Sequence, residues 1–489
     1  MDILDSLAQT AGSGKLTLEL EEVDLPGDLE TPVSAYLKLQ PVGARFLLES
    51  AEGSQSVGRY TFIGIDPLLR IEIRDQSTVI SSKSNSISVS HTEQDAPFDG
   101  LRLILNRFEI PGRAELPLLG GVVGFTSYEI VRFIEPSLVS CQPKSDWPIA
   151  LFYFVDKLLV FDHFMRRMKL LRLRYRGKSL TSGDLPVGLE QITSALHQER
   201  MPGYAHPVIA GNGYSSNVSQ KEFEAIVAKT QKYIVKGDIF QAVVSRCEER
   251  QSRVDSFSVY RALRMLNPSP YMYYLDFEDL KLVGSSPEAL VKCQNGLATI
   301  RPIAGTRRRG KDTDADRRMA EELLRDEKER AEHIMLVDLA RNDLGRVCKY
   351  GTIAVPTMME LEHYSHVMHL TSTVTGQLRD SGSPFELFRA AYPAGTVSGA
   401  PKLRAMEIIA ELEGRARGPY AGAVGYFSLS GDFDLCITIR TIVMRNNMLY
   451  LQAGAGIVAD SIPELEYLET QNKIAVLKQA VARAEDGRL

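Results

Sequence analysis

The chain has 489 residues, 44% apolar and 24% charged, with a formal net charge of -5. This length and composition suit a globular protein of two or three domains and exclude a polyelectrolyte tail or a collagen-like repeat. The basic residues gather only at Arg307 to Lys311, so no nucleic-acid footprint stands out, and no apolar run approaches membrane-spanning length.

The first ten residues, MDILDSLAQT, lack the order of a signal or transit sequence, and the five cysteines form no C-x-x-C pair. Both features predict a cytoplasmic protein without a disulfide framework. From Pro32, the runs PVSAYLKL, RFLLES, VGRYTFIGIDP and LLRIEIRD read as strands of an antiparallel sheet, punctuated by Gly and Pro. LRLILNRF reads as a short helix, and GGVVGFTSYE, ALFYFVDKLLVFD and MKLLRLRY return to strand composition. Residues 181–218 turn to Gly, Ser, Pro and Asn around one short helix, LEQITSALHQE. They mark a linker between regions 1–180 and 219–489.

In the second region, Phe223, Ile226, Val227, Thr230, Tyr233 and Ile234 trace one helical face that Gly237 ends. DIFQAVVSR follows as a strand and Val259 to Leu266 as a helix. YMYYLDF, KLVGSSPEALVK and LATIRPIAG then read as strands and turns. Asp326 to Arg346 reads as a helix of about five turns, buried through Ile334, Met335, Val337, Leu339 and Leu344 and stopped by Gly345. Glu332, Leu336, Leu339 and Asp343 share one face, mixing carboxylates with apolar side chains. An inward carboxylate needs a cation, a donor or a raised pKa; a divalent metal would satisfy it, and an ordinary helix edge is the alternative.

Further on, HVMHLTSTVTGQL reads as a strand, FELFRAAY as a helix, and PAGTVSGAPK as a loop before helix LRAMEIIAEL. That loop has the composition of an anion-binding helix start or of a plain Gly-rich turn. DLCITIRTIVMR and MLYLQAGAGIV flank Asn446-Asn447, a two-residue hairpin turn whose register sets Arg440 opposite Ala453, beside Gly454, Ala455 and Gly456. Small residues beside a guanidinium suggest a carboxylate site, and the preceding hairpin brings Tyr420 close to Arg440. Ser461 to Glu464 matches a capping box for a last helix, on which Glu466, Glu469 and Lys473 share a face; Glu469 and Lys473 also fit a plain surface pair. His363, His366 and His369 do not alternate as one set of strand-borne metal ligands. No Walker or Rossmann loop is present.

RPIAGTRRRG, DEKERAEHIMLVDLARNDLG, HYSHVMHL, PAGTVSGAPK and AGAGIVADSIPELEYLETQNK, in this order, resemble the chorismate-utilising enzymes, and among them the anthranilate synthase component I family. FLLESAEG and GRYTFIG extend the resemblance over almost the whole chain. It implies an α+β fold, a four-layer α/β/β/α sandwich of two opposed antiparallel sheets, with the N-terminal half wrapped onto the catalytic half. Region 1–180 would be regulatory and glutaminase-docking, and region 219–489 would bind chorismate and carry catalysis.

By the same resemblance, Glu332 and Glu469 match magnesium ligands, the Mg2+ ion holding the substrate's ring carboxylate. Gly305, Thr306, Tyr420, Arg440, Gly454, Ala455, Gly456 and Lys473 match substrate-binding positions, with Lys402 a further contact. His369 matches the catalytic histidine that moves protons as the C4 hydroxyl leaves and pyruvate is eliminated, with Glu288, Thr396 and Gln241 beside it. Glu49 and Ser50 of LLES, with Pro270, Tyr271 and Met272, match tryptophan-binding motifs for feedback inhibition.

The implied lyase reaction adds ammonia to C2 of chorismate and eliminates pyruvate to give anthranilate, the first committed step of tryptophan biosynthesis. Ammonia would come from a partner glutamine amidotransferase subunit, in an assembly of two large and two small subunits. Aminodeoxychorismate synthases carry a lysine nucleophile where this chain has Ala304, and isochorismate and salicylate synthases a lysine base where it has Gln241; both siblings are the alternatives. A catalytically silent tryptophan sensor and a scaffold for the glutaminase are the readings from other classes.

Overall fold

The computed structural model describes residues 15–49, 58–91, 96–111, 116–175, 178–179, 187–198, 213–363, 367–379 and 383–488. Ser50, His366 and most of 181–218 lie outside the described residues.

PVSAYLKL, expected as a strand, is a helix, Pro32–Leu39 (α1). Thr31 and Ser34 cap it reciprocally, Ser34 N–H donating to Thr31 Oγ1 (3.1 Å) and Thr31 N–H to Ser34 Oγ (2.9 Å), and Pro32 supplies the first helical φ. Ala44–Glu49 (β1), Tyr60–Ile65 (β2), Leu69–Ile73 (β3), Gly121–Thr126 (β4), Ala150–Val155 (β5), Lys157–Asp162 (β6) and Arg167–Tyr175 (β7) follow. The later elements are Gln241–Gln251 (β8), Ser256–Leu266 (α2), Tyr271–Asp276 (β9), Leu280–Ser286 (β10), Ala289–Gln294 (β11), Leu297–Ile300 (β12), Ile303–Arg308 (β13), Glu327–Gly345 (α3) and Val367–Gln377 (β14). Lys402–Glu413 (α4), Ala423–Ser428 (β15), Phe433–Ile437 (β16), Thr441–Arg445 (β17), Met448–Ile457 (β18) and Pro463–Glu485 (α5) complete them.

Two large antiparallel sheets hold these strands. The first runs β13-β14-β12-β11-β16-β15-β4-β5-β3 and the second β7-β6-β2-β1-β9-β10-β17-β18-β8, with further strands at their edges. Each sheet contains strands from both halves of the sequence. Phe125, Leu151 and Val424 of the first sheet meet Tyr273, Leu282 and Val443 of the second in the core between them. Val337, Leu344, Phe385 and Phe388 cover the outer face of the first sheet, and Tyr36, Phe257, Tyr260, Leu477 and Val481 that of the second. The result is the expected α+β sandwich in four layers, α/β/β/α. No described helix is long and apolar enough to cross a membrane.

The chain changes sheets within stretches that read as single strands. ALFYFVDKLLVFD splits at the fully buried Asp156 into β5 of the first sheet and β6 of the second. DLCITIRTIVMR splits at Thr438 to Arg440 into β16 and β17, and Pro287-Glu288 makes the reverse passage from β10 to β11. The last two passages are bonded together: Ile437 N–H donates to Glu288 O (3.0 Å), Ser286 Oγ to Ile437 O (2.7 Å) and Ser285 N–H to Arg440 O (3.2 Å).

Helix α3 starts at an Asp326 cap and runs through Gly345 to Arg346, so Gly345 is its last residue rather than its left-handed stop. Its buried face is His333, Leu336, Val337, Ala340, Asp343 and Leu344, whereas Ile334, expected inside, is 44% exposed. The capping box expected at Ser461 and Glu464 does not form: Ile462 precedes α5 without a side-chain cap, and Ser461 Oγ instead accepts from Val458 N–H (3.1 Å).

Candidate active site

A cavity of about 380 Å3 opens where the two passages meet, lined by Glu288, Ala304, His369, Thr396, Tyr420, Arg440, Gly454, Gly456 and Lys473. A larger groove, about 1620 Å3, runs between the N-terminal strands and the edge near Gly296 and contains none of these groups.

The hairpin register read from Asn446-Asn447 holds from Arg445↔Met448 to Ile442↔Leu451. Arg440 lies just beyond it, with a left-handed φ of 50°, so it leaves the ladder and faces the cavity instead of pairing with Ala453. Among the described residues no carboxylate bonds to its guanidinium, and burial lowers its pKa against the pull of Tyr420 and Glu469. A half-buried cation in this condition favours an anionic guest.

The small-residue floor has a steric cause. A Cβ on Gly454 would sit 2.7 Å from Tyr420 Oη and 2.9 Å from Val244 O, and one on Gly456 2.8 Å from Gln241 Nε2. Both glycines therefore make room for side chains that close over the strand. Ala455, between them, is fully buried on the opposite face with Phe223 and Val244, so it can offer the cavity only backbone. Lys473 Nζ donates to Gly454 O (2.8 Å) and pairs with Glu469 Oε1 (2.5 Å).

Burial pushes the Glu288 carboxyl up to about 7, although Thr396 Oγ1 donates to Glu288 Oε1 at 2.8 Å and Lys473 opposes the shift. Glu288 thus holds or releases a proton near neutrality. His369, on β14, is shifted the other way by burial and is neutral at pH 7. Its Nδ1–H donates to Gly305 O (3.1 Å), which assigns proton exchange to Nε2. Gly305 itself, φ 63°, forms a bulge opposite β14 between Ala304 and Thr306, and a Cβ there would meet Leu323 at 2.8 Å.

Helices α3 and α5 place Glu332 and Glu469 behind the lining, Glu469 through Lys473 and Glu332 through Gln241, which lies against Gly456. Glu332 is raised by burial and by Glu329, then by Glu469, and Gln241 Nε2 contacts it at 3.5 Å. Glu466 is likewise raised by burial, with Glu469 adding to the shift. Glu466 already shares a face with Glu469 in the sequence, whereas Glu329, one turn before Glu332, was not picked out there; the carboxylate repeat three residues apart on both helices was the available signal. Among the described residues no three Asp, Glu, His or Cys side chains stand together as a ready-made metal cage. The oxygen-only set nevertheless suits a hard cation that completes its shell with waters and a substrate carboxylate.

Asp343, the other inward acid of α3, is answered by Lys402, whose Nζ lies 3.2 Å from Asp343 Oδ2; this ties up Lys402 outside the cavity lining. The expected inhibitor residues divide. Glu49 and Met272 pair across β1 and β9, where Glu49 accepts from Tyr260 Oη and Arg264 Nε. Tyr271 points to the other face and donates to Asp434 Oδ1 (3.0 Å), while Pro270 lines the cavity with Asn267 and Ser269.

A family model described as chorismate binding enzyme matches residues 43–479. Anthranilate synthase component 1 of Acetivibrio thermocellus is 41% identical over 475 residues, covering 95% of this chain and 96% of that protein. Its counterpart from Aquifex aeolicus is 42% identical over 505 residues, covering 97% and 99%. The solved anthranilate synthase component I of Streptococcus pneumoniae superposes with a TM-score of 0.74 at 34% identity, covering 93% of this chain and 98% of that one. The menaquinone-specific isochorismate synthase of Escherichia coli shares the fold, with a TM-score of 0.69 at 20% identity.

Proposed function

Because the chain belongs to the chorismate-binding enzymes, we propose that it converts chorismate and ammonia to anthranilate and pyruvate. The observation that carries this reading is one cavity joining an arginine, with no carboxylate bonded to it among the described residues, to a carboxyl group that burial pushes up to about 7 and a neutral imidazole. Ala304 in its wall cannot form a covalent amine, and Gln241, which lies against Gly456, cannot deprotonate water. Both choices leave ammonia from outside as the nucleophile.

Arg440, above the Gly454 and Gly456 floor, binds a substrate carboxylate, and Lys473 fixes that floor. In the first step the C2–N bond forms as the C4–O bond breaks, protonated Glu288 supplies the proton with which water leaves, and the new ammonium group gives up one proton, which restores the acid. In the second, His369 Nε2 takes the C2 proton as the C3–O bond breaks, releasing pyruvate and an aromatic ring. Glu332 and Glu469 would hold Mg2+, which when bound offsets the charge of the ring carboxylate. Catalysis by Glu288 as an acid requires its protonated form, so kcat/KM falls as pH rises through about 7. Chorismate incubated with the purified chain and an ammonium salt, with no second protein, yields anthranilate fluorescence in this account; no aromatic product would reject it.

In this reading the chain works with a glutamine-hydrolysing partner, consistent with relatives named component 1. Tryptophan inhibits it by binding at β1 and β9. The segment Asn267 to Met272 supports that route, since its start walls the cavity and its end enters β9 beside Glu49. A ligand that shifts β9 therefore displaces the wall, with a coupling of about 1 to 3 kcal/mol. Ser50→Phe, a change at the residue that follows Glu49 in the sequence, is expected to raise the tryptophan concentration for half-inhibition about tenfold or more, with uninhibited kcat retained. Wild-type sensitivity in that variant would place the regulatory site elsewhere.

A further inference from the structure

Behind the cavity, and outside its lining, lies a buried arginine. Arg417 is 3% exposed and spends its donors on four acceptors. Nη1 donates to Val397 O (2.8 Å), Nη2 to Val243 O (2.6 Å) and Glu413 Oε1 (2.6 Å), and Nε to Glu413 Oε2 (2.9 Å). Glu413 Oε1 also accepts from Ser245 N–H (2.7 Å) and Oγ (2.9 Å), and Gln452 Nε2 donates to that same hydroxyl (2.9 Å). Val243, Val397 and Gln452 are three different walls of the cavity, and Tyr420, whose ring centre lies 5.7 Å from the guanidinium, is a fourth.

The pair is clamped from the N-terminal half. Fully buried Glu129 accepts from the backbone N–H groups of Arg417 (2.7 Å) and Gly418 (3.1 Å), Tyr128 N–H donates to Gly418 O (2.8 Å), and the Tyr128 ring lies 4.7 Å from the guanidinium. Val397 directly follows Thr396, the donor to Glu288.

We propose that the Arg417–Glu413 pair, held by Glu129, is the positioning unit of the cavity, fixing Thr396 against Glu288 and thereby setting the protonation of the acid from the N-terminal half. This rests on Glu288 being the proton donor of the reaction proposed above. The arrangement differs from a simple core ion pair in where its bonds end. Two of the guanidinium bonds go to wall backbone, and the carboxylate carries a third wall through Ser245.

Removing the guanidinium altogether would strand a buried carboxylate and threaten the fold. Arg417→Lys keeps the charge but loses the fork that reaches both carbonyls, and Glu129→Gln keeps the shape but sets an amide group against two N–H donors. Each is compared with Thr396→Val and Glu288→Gln by the pH profile of kcat/KM for chorismate at saturating free ammonia. Cooperative melting and the emission of Trp147, the single tryptophan, which packs against Gly418, report the fold. With melting and emission retained, both hub variants should lose about 10- to 100-fold in kcat/KM at pH 7 and move the descending limb to higher pH, as Thr396→Val does by removing a bond that favours the ionised acid. A limb at its wild-type position, with activity lost only in proportion to folded protein, overturns the proposal. If Glu288→Gln keeps the limb, the proton-donor reading fails by itself. The hub then stands if Arg417→Lys raises KM for chorismate about tenfold or more in folded protein, and falls if KM is unchanged.

Discussion

Glu332→Gln and Glu469→Gln are each expected to lower turnover about 1000-fold or more, because several kcal/mol of charge stabilisation is withdrawn from the bound carboxylate. Neither change should disturb the fold. Among the described residues Glu332 receives one long contact, from Gln241, and Glu469 is half exposed and paired only with Lys473, so Tm should stay within about 3 °C of wild type. Excess chelator should silence the unmodified chain and Mg2+ restore it. Full activity in chelator, or a glutamine variant of normal rate, would remove the metal from the account.

His369→Ala is expected to lower kcat about 100- to 10,000-fold while leaving KM for chorismate nearly unchanged. The imidazole is held through Nδ1 by Gly305 O and is kept neutral by burial, an arrangement for exchanging a proton rather than for binding an anion. Binding of the carboxylate falls to Arg440 instead. A raised KM with normal kcat would make His369 a binding residue and leave the second step without its base.

How far the sequence carried these readings depended on which signals were local. The β17–β18 register was legible because Asn446-Asn447 fixes a two-residue turn and strand alternation does the rest. The mixed face of α3 was legible from spacing, and both its inward acids proved half-buried or buried. The passages between sheets were not. Ala150 to Asp162 is buried on nearly every residue, so no alternation marks the change of sheet at Asp156, and Leu435 to Arg440 hides its break in the same way. That loss matters most, since Glu288 and Arg440 owe their positions to those breaks. Helix α1 was misread from its Val, Tyr and Leu content although Thr31, Pro32 and Ser34 spelled a helix start. Glu413 and Arg417 sit four apart like any surface pair. Packing against Tyr128 and Glu129, nearly three hundred residues earlier, and bonds to Val243, Ser245 and Val397 make them interior.

The central claim is that this cavity joins external ammonia, and neither water nor a lysine, to C2 of chorismate. Its most direct test is turnover of chorismate with 15N-ammonium in H2 18O, read by mass spectrometry of the products. The account predicts pyruvate together with an anthranilate that bears one 15N and no 18O. Isochorismate or salicylate carrying 18O, or aminodeoxychorismate as the main product, would contradict it.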